Sequence, residues 1–365
     1  MPNEIGARGI YTPTPIEFTE SWIPDKLQVR MKDLDRLCNL LGKWMYVFLG
    51  GRRGSGKTVL CQHIPLHFKT DYTLYVKCSG SYERSTRNAL TLQGRCSITH
   101  DTDIPILLQK LNSSQLLIFD DIHLIYNYRR GLNFLKSIYD NNQTELRMII
   151  ASTMPFHIFQ KECPEEIWSR FQWKPLILNP FDAKQIATIL RQRAERVFKH
   201  VDEGAINLIA AKIARLADPR IGLRVLNYAY TVNSETLNME ITKESWEFEK
   251  HRYWKDDVLL TLPSHTALLF LLTAESVVLM NNEFKTTSGI VYEKYEMFCR
   301  NHNVSPLYQA RLNYYFDELE NMKLIKRETI SHGRFGATSD ITLLFDEPSV
   351  IVEAGKEIDW TEFLI

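Results

Sequence analysis

No Cys-x-x-Cys pair occurs in the 365 residues, and the six cysteines, Cys38, Cys61, Cys78, Cys96, Cys163 and Cys299, are scattered along the chain. That scatter argues against a zinc module and against a disulfide framework, and it points to a reduced cytosol. Charge of one sign is also lacking: Lys plus Arg and Asp plus Glu both number 44, so any polyanionic partner must be met by a local patch. Long hydrophobic runs are missing. The most apolar stretch, His265 to Met280, is shorter than a bilayer span and is interrupted by Glu275, so it reads as a buried helix and no membrane partner is expected. The first residues, "MPNEIGARGIYTPTP", have no basic region followed by an apolar core and do not read as a signal peptide. There is no internal repeat and no low-complexity tract. What is present is ordinary globular composition, with 44% apolar residues, enough in a chain of this length for two or three compact units.

Pro13 and Pro15 break any helix near the start, so residues 1–20 are expected as an extended arm. From Asp25, Leu27, Met31, Leu34, Leu37 and Leu40 or Leu41 recur at helical spacing and predict one amphipathic helix ending at Gly42. Short β-rich apolar runs begin at Trp44, Tyr72, Gln115, Arg147 and Lys174, separated by helical or polar segments. Near-continuous apolar strands alternating with helices predict an α/β fold with a parallel sheet covered on both faces, over residues 21–180. From Asp182 three amphipathic helical segments follow with brief connections, a small helical domain over 181–240. A linker helix is expected over 241–262. Residues 263–365 then show helices followed by two β-rich pieces around "SHGRFGATSD", the pattern of a winged helix.

One loop has explicit chemistry. Gly51, Gly56, Lys57 and Thr58 satisfy G-x-x-x-x-G-K-T between a strand and a helix. In such a P-loop the backbone NH groups cradle phosphates, the lysine reaches the outer phosphates and the threonine hydroxyl holds magnesium. The cofactor expected is ATP or ADP with Mg2+, bound by Gly51, Gly54, Ser55, Gly56, Lys57, Thr58 and Val59. Arg52 and Arg53 inside the loop do not oppose this, because main-chain groups do the cradling. "LLIFDD" ends a buried strand on Asp120, placed to accept the magnesium-bound water near Thr58. Asp121 stands where many ATPases of this type carry a glutamate base. Its side chain is one methylene shorter, and a misplacement of about 1 Å can cost on the order of a hundredfold in rate. Tight binding with slow hydrolysis is the expectation, with capping of the next helix as the alternative role for Asp121. "IIAST" offers Ser152 or Thr153 as a polar sensor of the outer phosphate, "WSRF" offers Arg170 as a finger for a neighbouring subunit or as a surface salt bridge, and "ADPRIGLRVL" sets Arg220 at a helix start with Arg224 one turn on.

The ordered set "PDKLQVR", "GRRGSGKT", "LLIFDD", "IIAST", "SRF", "ADPRIGL" and "HGRFGATSDITL" resembles the archaeal origin-recognition and cell-division-control initiator family of AAA+ ATPases, over nearly the whole chain. The resemblance implies an AAA+ core over 21–180, a helical lid and a C-terminal winged helix. It further implies an adenine pocket lined by Leu27, Val29 and Arg30, a first sensor at Thr153 and a second at Arg220. As partners it implies duplex origin DNA, a replicative helicase and other initiator subunits, and hence a cytoplasmic, nucleoid-associated place. This chain departs from the family pattern in having Asp121 for Glu and Thr153 for Asn. The short interval before "LLIFDD" leaves only "SYERSTRNALTLQGR" to supply the family's DNA-touching insertion.

Read from residues alone, "SPLYQARLNYYFDELENMKLI" places Leu312, Phe316 and Leu319 on an inward stripe and leaves Tyr308, Gln309, Arg311 and Asn313 to project elsewhere, equipped to read base edges or simply solvated. Arg334 and Phe335 sit at a hairpin tip, where the arginine can enter a minor groove. Lys323, Lys326 and Arg327 add phosphate contacts. Two other readings compete: an ATP-driven remodeller or transposition helper assembling through Arg170, and a transcriptional regulator or scaffold whose acidic tail supports a protein partner.

Overall fold

The computed structural model describes residues 13–78, 115–121, 140, 146–163, 165–214, 216, 218–280, 284–331, 337–345 and 347–364. Chain contacts divide it into two units, Met1–Leu223 and Arg224–Ile365.

The first unit is built on five strands: β1 (Tyr46–Gly51), β2 (Tyr72–Lys77), β3 (Gln115–Asp120), β4 (Leu146–Ser152) and β5 (Lys174–Leu178). Their spatial order is β2-β3-β4-β1-β5, and every adjacent pair is parallel. β3 is buried at all six positions, as a central strand with helices on both faces must be. One face packs α1 (Met31–Lys43) and α2 (Lys57–His67), through Leu34, Leu37, Leu41, Leu60 and Ile64 against Val47, Leu49 and Ile118. The other face packs α3 (Phe156–Glu162) and α4 (Glu165–Phe171), with an aromatic cluster in which Phe48, Phe159, Phe171 and Trp173 meet.

Helix α1 begins six residues after the start expected from hydrophobic spacing. Arg30 has φ 75°, a left-handed conformation that cannot continue a helix, so Leu27 and Val29 lie in the approach to α1 rather than within it. The lid helices are α5 (Ala183–Val197), α6 (Glu203–Ile213) and α7 (Pro219–Val232). α5 carries a capping box in which Asp182 and Gln185 exchange side-chain-to-backbone hydrogen bonds. Arg193 of α5, itself buried, donates to the carbonyls of Glu17 and Thr19, which ties the N-terminal approach to the lid.

The second unit contains α8 (Met239–Arg252), a wide turn over Tyr253–Val258, and then α9 (Ser264–Met280). α9 is buried from Thr266 to Ala274 without a break, so the most apolar run is a core helix, with exposure rising from Val278. No described helix is long and apolar enough to cross a membrane. Around α9 stand α10 (Ser288–Asn301), α11 (Gln309–Asn321), α12 (Pro348–Lys356) and α13 (Trp360–Leu364). Three antiparallel strands, β6 (Lys285–Thr287), β7 (Ile325–Ser331) and β8 (Ala337–Leu343), complete the unit in the order β6-β8-β7. The β7–β8 hairpin is the wing. Its tip, with Arg334 and Phe335, lies outside the described residues, as does the segment Ser81–Arg95 expected to hold an insertion.

Candidate nucleotide site and winged-helix face

β1 ends at Gly51, and α2 begins at Lys57, so the P-loop bridges the C-terminal edge of the sheet to a helix N-terminus. Two of its glycines are required by backbone shape. Gly54 has φ 76° and Gly56 has φ 90°; a Cβ at Gly54 would collide with the Asp218 carboxylate, and one at Gly56 would press on Phe181 at 3.2 Å. The Lys57 ammonium is buried and donates to the carbonyls of Gly51 and Arg52, each at 2.9 Å. Burial holds its pKa below the usual lysine value, opposed by the nearby Asp120 and Asp121 carboxylates and reinforced by Arg220.

The parallel register brings the remaining polar groups to the same edge. Gly50 lies opposite Ser152, and Lys77 lies opposite Asp120. Asp120 is wholly shut from solvent. Burial, followed by the charge of Asp121, pushes its carboxyl upward, while hydrogen bonds from Thr58 and Tyr75 and the Lys57 charge pull it back. The Tyr75 hydroxyl donates to Oδ2 at 2.8 Å, and the Asp121 backbone NH donates to Oδ1 at 3.1 Å. Asp121 has φ 57°, a left-handed turn that ends the strand and is tolerated by aspartate. Ser152 is buried and its Oγ accepts the Met154 NH at 3.0 Å; Thr153 beside it is half-buried.

Above the loop stands Arg220 at the start of α7. It is gripped by Asp218, to which Nε donates at 2.8 Å, and its other edge faces Glu20 at 3.7 Å. Arg30 donates to Asp33 at 2.9 Å and to the Asn179 carbonyl, with its guanidinium 4.1 Å over the Phe181 ring. Leu27 packs on the α1 and α2 core, and Val29 is half-buried. Arg170, at the end of α4, forms an ion pair with Asp140 at the surface, the alternative already weighed against the finger. Tyr75, Phe181 and Asp218 were not singled out in the sequence; each joins the site through a tertiary contact that no local pattern marks.

The group fits a nucleotide and a divalent cation. Ser55 Oγ is buried in the loop without a hydrogen-bond partner among the described residues, a lysine ammonium lies at the same place, and the glycine cradle excludes side chains. The oxygen donors of Thr58 and Asp120 are the hard ligands, or holders of ligand waters, that magnesium takes.

In the second unit, α11 buries Leu312, Phe316 and Leu319 and leaves Tyr308, Gln309, Arg311, Asn313 and Tyr314 exposed at its N-terminal half, with Tyr308 at 90%. The Arg311 guanidinium lies 5.4 Å and 5.5 Å from the rings of Tyr314 and Tyr315. Asn313 accepts a hydrogen bond from Tyr292 at 2.7 Å. The phosphate candidates fare differently: Arg327 is engaged by Asp317 and Glu320 of α11, and Lys326 pairs with Glu328 at 2.6 Å.

A parallel P-loop sheet with a helical lid, followed by a winged helix, is the build of an AAA+ ATPase core carrying a C-terminal winged-helix domain. Residues 257–353 match the family described as CDC6, C terminal winged helix domain. The chain is 24% identical over 360 residues to the ORC1-type DNA replication protein of Thermococcus kodakarensis, covering 88% of this chain and 86% of that one. To the ORC1-type protein of Pyrococcus horikoshii it is 25% identical over 366 residues, covering 88% and 85%. Among solved structures, the Aeropyrum pernix ORC2 protein in ADPNP and ADP complexes superimposes with a TM-score of 0.70 at 17% identity, covering 95% and 97%. The Aeropyrum pernix ORC1 protein in complex with DNA gives 0.61 at 22% identity, covering 96% and 97%. The chain is thus similar over most of its length to archaeal ORC1-type DNA replication proteins and, over residues 257–353, to the CDC6 winged-helix family.

Proposed function

We propose that this chain is a replication-initiator-type protein that binds duplex DNA through its winged helix and uses a bound nucleotide as a slow switch. The observation that carries the reading is the exposed N-terminal half of α11, where Tyr308, Gln309, Arg311 and Asn313 stand free of the core on a domain matching the CDC6 winged helix. A helix presenting Gln, Arg and Asn there is suited to base edges in a major groove. Arg334 and Phe335 of the wing would supply the minor-groove contact.

In the first unit, Gly51, Gly54, Ser55, Gly56 and Val59 would cradle the phosphates of ATP or ADP, Lys57 would neutralise them, and Leu27, Val29 and Arg30 would flank the base. Thr58 and Asp120 would hold Mg2+. Magnesium supplies charge neutralisation of the phosphates when bound. Asp121 would orient the attacking water with a reach one methylene short, which favours slow turnover. Thr153 and Arg220 would sense the outer phosphate, and Arg170 would meet a neighbouring copy only after leaving Asp140. A replicative helicase or other initiator subunits are the partners this reading implies, with the protein located on the nucleoid.

The test is selection of bound fragments from the host genome followed by footprinting, with ATP and with ADP. Discrete protected sites are expected, and Lys57→Ala is expected to remove the difference between the two nucleotides. Uniform retention of all fragments, or none, would contradict the initiator reading, and steady phosphate release at rates above about 1 per second would contradict the slow switch.

A further inference from the structure

The phenol of Tyr75 reaches the carboxylate at the centre of the nucleotide site from a neighbouring strand. In the β2–β3 register Tyr75 lies opposite Ile118. Side chains alternate faces along a strand, so Tyr75, Ile118 and Asp120 rise on the same side of the sheet, the side that packs α2. The ring therefore leans along β3 by about two residues, roughly 7 Å, to place its hydroxyl 2.8 Å from Asp120 Oδ2. A carboxylate at the end of a strand rotates easily about its last torsion. Here that rotation is stopped from both sides, by Tyr75 on Oδ2 and by the Asp121 NH on Oδ1.

We propose that Tyr75 is a positioning residue for the divalent cation: it presets the Asp120 carboxylate in the orientation that a nucleotide-bound cation beside Thr58 requires. This rests on the nucleotide reading above. The phenol itself is no ligand, because it is neutral and its proton is already donated to Asp120. Without it, a carboxylate with no access to solvent would lose a charge-assisted hydrogen bond and with it the restraint on its Oδ2 side.

The experiment compares the full chain with Tyr75→Phe, which keeps the ring and removes the donor. Affinity for a fluorescent ADP analogue is titrated in Mg2+ and in EDTA, and the melting temperature is recorded without nucleotide. The wild type is expected to bind more tightly in Mg2+; in Tyr75→Phe that Mg2+-dependent tightening is expected to fall about tenfold or more, while the affinity in EDTA stays unchanged. A tightening equal to the wild type overturns the proposal. So does an equal loss in Mg2+ and in EDTA, since a merely structural tyrosine would act that way. If Tyr75→Phe melts below the assay temperature, Tyr75→Met, apolar and without a donor, replaces it under the same expectation. A wild type that binds no analogue in either condition refutes the nucleotide reading itself, whereas a Mg2+-responsive wild type with an unaltered Tyr75→Phe refutes only the role of Tyr75.

Discussion

Asp218 connects two features that the sequence presents separately, the glycine at position 54 and the arginine at position 220. Its carboxylate lies where a side chain at Gly54 would have to be, and it grips the Arg220 guanidinium through Nε at 2.8 Å. Arg220 is the residue that would sense the outer phosphate, so an aspartate against the P-loop competes for the same cation. A phosphate group and a carboxylate offer an arginine the same forked acceptor geometry. Asp218→Asn keeps the shape and the NH acceptor of the helix start but withdraws the charge. It is expected to tighten binding of a non-hydrolysable ATP analogue by about tenfold, the scale of one charge-assisted hydrogen bond, and to change ADP affinity much less. Isothermal titration of both nucleotides measures the two values. Equal changes for ATP analogue and ADP would show that Asp218 does not compete with the outer phosphate.

Helix α11 separates two arginines that the sequence groups together as candidates for DNA. Arg311 is exposed beside Tyr314 and Tyr315, while Arg327, on β7, is turned onto Asp317 and Glu320 of α11 and over the Phe316 ring at 5.8 Å. The first has its charge available to a ligand, and the second fastens the wing strand to the helix. Arg311→Ala is therefore expected to weaken duplex binding by about tenfold or more, since one good base contact is worth roughly 1–3 kcal/mol. Arg327→Ala is expected to lower the melting temperature while leaving the salt dependence of binding unchanged. Fluorescence anisotropy across a salt series, with thermal melts alongside, distinguishes them; a reduced salt slope in Arg327→Ala would mean that it meets phosphate. The contrast also shows what was legible in the sequence. The runs beginning at Trp44, Tyr72, Gln115, Arg147 and Lys174 are β1 to β5: the central β1, β3 and β4 are buried almost throughout and the edge strands β2 and β5 alternate, while the P-loop announces itself by its glycines and Lys57. Strand order and the partners of each charge were not legible, since they depend on which residues meet across the fold: Tyr75 and Asp120 are 45 positions apart, and a lone strand tyrosine reads as ordinary packing. The delayed start of α1 was hidden for a different reason, because hydrophobic spacing continues through Leu27 and Met31 while the backbone at Arg30 does not.

The two units share one helix. α7 runs from Pro219 to Val232 without a break, and the division between units falls inside it, after Leu223. Arg220, on the first turn, belongs to the nucleotide unit, and Arg224, one turn later, belongs to the winged-helix unit. Within that second unit Arg224 pairs with Glu249 of α8 at 3.2 Å and with Asp257 at 2.5 Å, and Glu249 is only 2% exposed. Arg220, proposed to sense the outer phosphate, and Arg224, the cation of a buried carboxylate, thus lie one turn apart on the same helix, and a nucleotide-dependent switch of the proposed kind could run along it. Removing Arg224 strips a buried carboxylate of its principal cation, a loss of about 3–5 kcal/mol in comparable pairs, and loosens α7 from α8. The expectation for Arg224→Ala has two parts. Nucleotide affinity stays at the wild-type value, because the P-loop, Lys57 and Arg220 are untouched. If the proposed switch runs along α7, the ratio of duplex affinity in ATP to that in ADP falls toward one in this variant. Measuring duplex binding by anisotropy in each nucleotide, with nucleotide affinity titrated separately, keeps the two parts apart. A wild-type ratio in the variant would show that α7 transmits nothing through Arg224, and a loss of nucleotide affinity would show that the change reached the first unit instead.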